Sequence, residues 1–151
     1  MQIVTHENNM TNVAKNIRPL TLDKSGHPKR WYDLIGDIQS KSIHADLSSQ
    51  LGARDETVLD LWKEYPENIG TLARQISKIL MDNLSWPNPY FIPSDPVDLL
   101  FRSPLGDLEI EESAMAVEAI VGKRISDKIW QELIKLEFGD FLLQLNEQKN
   151  A

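Results

Sequence analysis

Cysteine is absent from the 151-residue chain, which excludes disulfides and thiolate metal sites. No apolar run approaches the roughly 20 residues that a membrane-spanning helix needs, and the opening residues do not read as a secretory signal. The expectation is a cytoplasmic chain with no membrane role. The three histidines, His6, His27 and His44, stand far apart. None has a carboxylate at ligand spacing, so no metal site is expected. Gly-x-Ser-x-Gly elbows, phosphate-binding loops and dinucleotide fingerprints are all missing. No nucleophile, base and oxyanion donor assemble, so the chain is expected not to be an enzyme. Basic charge is also short. With 16 Lys and Arg against 23 Asp and Glu, net charge is −7, the wrong sign for gripping a phosphate backbone. Nucleic acid is therefore not an expected partner, whereas a protein with a basic surface is.

The composition itself, 41% apolar and 26% charged, is that of a globular domain. The acidic surplus is uneven. Residues 1–67 carry 8 basic and 10 acidic side chains, and residues 68–151 carry 8 and 13.

Hydrophobic periodicity predicts an all-α protein. Residues 1–27 are polar and turn-rich ("THENNMTNVAKN", "LDKSGHP") and are expected to form a flexible arm. A helix is expected from Pro28, with Trp31, Leu34, Ile35 and Ile38 at helical spacing. A shorter one holds Ile43, Leu47 and Leu51 and stops at Gly52. "ARDETVLDLWKEYPE" reads as a helix capped by Asp55 and ended by Pro66. "TLARQISKILMDNL" is the clearest amphipathic helix, with Leu72, Ile76, Ile79 and Leu80 on one stripe. Four prolines between Pro87 and Pro96 forbid a regular helix there. Trp86, Tyr90, Phe91 and Ile92 make that stretch too apolar for a free linker, so it reads as an ordered loop, with a short helical turn in "DPVDLLF". An acidic helix follows from Asp107, then "SDKIWQELIKLE", then a terminal helix capped by Asp140 with Phe141, Leu142 and Leu145 inward.

Four segments in this order carry a family resemblance. "AMAVEAIVGKRISD", Ala114 to Asp127, resembles the second helix and exit loop of acyl carrier proteins. Val117 and Glu118 stand at its Leu-Glu, and Ile125 and Asp127 at its Ile-x-Asp. "FGDFLLQL" is similar to the family's Val-Gly-Asp entry into the last helix, "TLARQISKILMDNL" to its first helix, and "FIPSDPVDLLF" to its Thr-Pro-x-Asp segment. The resemblance spans residues 68–147 and implies a carrier-like helical bundle there, with residues 28–67 as a helical extension.

The same resemblance implies a phosphopantetheine arm on the serine of an Asp-Ser-Leu motif at the start of the second helix. Here Gly106, Asp107, Leu108 and Glu109 stand over that motif. A carboxylate at Asp107 cannot form a stable phosphodiester, so no prosthetic group is expected. Ser103, four residues or about one helical turn earlier, is the alternative attachment point and would make the chain a true carrier. Pro104 follows it, and "RSPLG" reads as loop. A third reading is an unrelated helical adaptor or immunity protein.

Asp107 also suits a helix start for its own sake, because aspartate caps well and its charge favours the positive end. The acidic residues Asp107, Glu109, Glu111, Glu112 and Glu118 are expected to bind a basic partner surface. A solvated acidic face is the simpler reading of the same run.

Overall fold

The computed structural model describes residues 17–22 and 40–150. The helix expected from Pro28, with Trp31 to Ile38, lies outside the described residues. Everything described is helix, turn or loop, apart from one isolated antiparallel bridge between Pro96 and Glu137. No described helix is long and apolar enough to cross a membrane.

Helix α1 runs Ser40–Gly52 and buries Leu47 and Leu51. A 3₁₀ helix follows over Glu56–Glu64. Asp55 caps it by accepting the Thr57 amide at 2.9 Å. The sequence expectation was an ordinary helix here. The tighter winding is satisfied with three residues per turn, and it puts Val58 and Trp62 inside. Helix α2, Glu67–Leu84, starts a turn earlier than the amphipathic pattern suggested. Pro66 does not merely end the previous element; it is the N-cap of α2, and Ile69 joins the buried stripe Leu72, Ala73, Ile76 and Leu80.

Beyond Ser85, a left-handed residue (φ 61°), the proline-rich connection is ordered as expected. Trp86, Phe91 and Ile92 are buried. Both nearby indole N–H groups find carbonyls: Trp86 Nε1 donates to Leu100 at 3.1 Å and Trp62 Nε1 to Phe91 at 3.0 Å. The short helix α3, Val97–Leu100, ends this connection. Helix α4 is Asp107–Val121, α5 is Asp127–Leu133 and α6 is Phe138–Asn150. Asp140 lies in the first turn of α6 and does not cap it. The orphan amides of that helix start are met by the loop instead, with Phe138 N–H on Asp95 O at 2.8 Å and Gly139 N–H on Pro93 O at 2.9 Å.

One apolar core runs through these elements. It takes Leu47 and Leu51 from α1, Ile76 and Leu80 from α2, Val117 from α4, and Phe138 and Phe141 from α6. Aromatic edges tie its centre: Trp62 and Phe91 each meet Phe138 nearly perpendicularly, at 5.5 and 6.2 Å between centroids. Leu20, in the segment expected to be a free arm, is buried in the same core.

Candidate functional site

Helix α4 is amphipathic in an uncommon way. Ile110, Ser113, Ala114, Val117 and Val121 form its buried stripe and pack chiefly against α2. Ser113 is tolerated inside because its hydroxyl donates back to the Glu109 carbonyl at 2.8 Å. Opposite that stripe, Leu108, Glu112, Met115 and Ala119 follow one another by four, three and four residues, so they share one outward ridge. Leu108 is 61% and Met115 65% exposed, and Leu105 just before the helix is 72% exposed. These are the most exposed of the large apolar side chains among the described residues. Asp107, Glu111 and Glu112 are exposed beside them.

The five acidic residues do not share one face. Glu112 is part of the ridge, and Asp107 and Glu111 border it. Glu109 is half-buried on one flank. Glu118 is half-buried on the other and has an internal role: its Oε2 accepts the Ile125 amide at 2.6 Å. That bond folds the exit loop back on α4 just after Gly122, whose φ of 84° ends the helix.

Asp107 is the first helical residue and not the cap. Gly106 occupies the N-cap position with φ 138°, a conformation only glycine adopts readily. The nearby side-chain acceptor belongs to Ser103 and serves the turn before the helix. Its Oγ accepts from the Leu105 amide at 3.0 Å and the Gly106 amide at 3.4 Å. Ser103 is 2% exposed. A hydroxyl that is covered and engaged by two amides does not stand at the exposed tip of a turn, which is where a phosphodiester would have to form.

Sequence reasoning found the acidic helix but missed the ridge. In the sequence Leu108 and Met115 stand only as positions within the carrier-like segments. The available signal was their phase: both fall opposite the Ile110–Ala114–Val117–Val121 stripe. Among the described residues no cluster of three or more His, Asp or Glu is placed to hold a metal ion. No protein-family model matches the chain, and neither a curated protein nor a solved structure matches it.

Proposed function

We propose that this chain is a carrier-like protein-interaction module, without enzymatic activity and without a prosthetic arm. It docks to a partner's basic surface through the ridge of α4. One observation carries the reading: exposed Leu105, Leu108 and Met115 stand directly among the carboxylates of Asp107, Glu111 and Glu112. A purely solvated face would gain nothing from these apolar side chains. A docking face uses both kinds, apolar contact for affinity and charge for steering and selectivity. The covered Ser103 hydroxyl and the carboxylate of Asp107 support the absence of a loaded arm.

Two measurements test this. Co-expression with a broad-specificity phosphopantetheinyl transferase leaves the intact mass unchanged; an added arm that Ser103→Ala abolishes replaces this reading with a true carrier. Titration with a helical Leu/Lys peptide perturbs the amide resonances of the α4 ridge first, and Leu108→Asp removes the effect. Perturbations scattered over the surface, or none, would count against the docking face.

A further inference from the structure

We infer that the partner of the ridge is a second copy of this chain, which receives it in a groove along α2 and joins copies head to tail. This rests on the reading of the ridge given above and extends it by naming the receiving surface. The groove measures about 390 Å³. Its floor is a run of small residues on α2, Gly70, Ala73 and Ser77, and Leu59, Trp62 and Met81 form its walls. The Trp62 N–H is spent on Phe91, so the indole offers the groove only apolar surface. Two charged side chains line it, Arg74 and Lys78, and both are cationic. In a chain of net charge −7, this is a local reversal of sign.

Gly70 supplies an independent argument. It sits inside a helix, where glycine is the poorest former after proline. A Cβ added there meets nothing nearer than the Arg74 Nη1 atom at 4.0 Å. Its backbone is not in the left-handed region. Packing among the described residues therefore does not require a glycine at this position. The bare backbone there leaves room for a body pressed close to the helix, and the small side chains one and two turns on extend the same open approach.

The α4 ridge has the matching chemistry. Arg74 and Lys78 are four residues apart, about 6 Å along the axis, and so are Asp107 and Glu111. From Gly70 to Ser77 the floor runs about 10 Å, and Leu108 to Met115, also seven helical residues, spans the same length. Lys78 pairs with Asp82 at 3.0 Å, but both side chains are more than half exposed, and such a pair exchanges readily for another carboxylate. Ridge and groove are different surfaces of one molecule, so the contact is heterologous and builds a chain or ring of copies.

Sedimentation velocity of the full chain at low ionic strength tests this. The average mass is expected to rise with concentration past that of a dimer, and to fall back towards the monomer in about 1 M salt, where screening acts over ~3 Å. Gly70→Leu fills the groove without a backbone clash and improves helix propensity. Met115→Asp charges the ridge at an exposed position. Each variant alone is expected to sediment as a monomer, and an equal mixture as a 1:1 dimer and nothing larger, since one live groove and one live ridge remain. Arg74→Glu, which leaves the groove open, weakens association on the order of tenfold. A wild type that stays monomeric at high concentration overturns the inference, as do assemblies that persist in either variant or a mixture that forms no dimer. The ridge reading is judged separately: a monomeric wild type whose ridge still responds to the Leu/Lys peptide retains it, and one that does not respond loses both.

Discussion

Arg54 and Asp95, 41 residues apart in sequence, meet as a buried fork: Nη1 reaches Oδ2 and Nη2 reaches Oδ1, each at 2.8 Å. The Asp95 side chain is fully buried, and its two oxygens also accept the Leu20 and Ile92 amides at 2.9 Å. The other two Nη hydrogens of Arg54 go to the carbonyls of Tyr90 and Arg18, at 2.9 and 3.0 Å. A single ion pair thus ties the segment 17–22 and the proline-rich loop to the turn after α1. Removing one partner strands a buried charge, so Asp95→Ala is expected to cost about 3–5 kcal/mol by urea unfolding. Replacing both by apolar residues of similar volume costs less than either single change, and a double-mutant cycle that finds simple additivity would contradict this account.

His44 makes stability depend on pH. Its Nε2 donates to the Leu84 carbonyl at 2.6 Å, an acceptor left over at the end of α2, and its Nδ1 accepts from the Ser48 hydroxyl at 3.3 Å. The ring stacks on Trp86 at 4.1 Å. Burial holds its pKa below the ordinary imidazole value, and the bond to Leu84 opposes this more weakly. The unfolded chain therefore takes up the proton first. The contribution is complete above about pH 6.5 and is lost as pH falls below that value towards the folded pKa. Urea midpoints measured from pH 8 to 5 should fall in the wild type. His44→Gln, which keeps a donor but does not titrate, should flatten the part of the slope nearest pH 6.

Gly139 lies under the Tyr65 ring. A Cβ there would stand 2.4 Å from Tyr65 Oη, 3.0 Å from its Cζ and 3.1 Å from Pro93 Cβ. Gly139→Ala is expected to destabilise by about 1–3 kcal/mol, the scale of an overpacked core. Tyr65→Phe in that background removes the nearest atom and recovers part of the loss. An alanine variant as stable as wild type would mean that Tyr65 moves away freely.

Ser103→Ala removes the acceptor that holds the Leu105 and Gly106 amides. The expected cost is about 0.5–1.5 kcal/mol, that of an ordinary intramolecular hydrogen bond. Ser103→Thr keeps the oxygen and should recover some of it. A neutral alanine variant would show that the hydroxyl is not a structural acceptor, and would remove that reason for its burial.

Leu108→Asp and Met115→Asp change highly exposed positions and should leave the unfolding midpoint within about 0.5 kcal/mol of wild type. That separates the exposed ridge residues from buried stripe residues such as Val117. Val117→Ala, at a fully buried position, is expected to cost on the order of 1–3 kcal/mol. Equal losses at ridge and stripe would mean that the ridge is part of the fold.

Local pattern was enough to establish the helical class. Leu47 and Leu51, the Leu72–Ile76–Leu80 stripe, and Phe141, Leu142 and Leu145 all turned inward as their spacing required, because a 3.6-residue period leaves each helix one apolar side to hide. The acidic run that opens α4 was legible for the same reason. Contacts between distant residues were not legible, because nothing in a local window encodes them. Asp95 was legible as a motif aspartate, but not as the partner of Arg54 and the Leu20 amide. Glu118, expected among the partner contacts, gave no sign that the exit loop brings the Ile125 amide to it. Ser103, the alternative attachment point, gave no sign that the turn before α4 covers it and engages its oxygen. Periodicity decides which side of a helix meets the core, but whether a polar atom reaches water or another part of the chain is decided only when that part arrives.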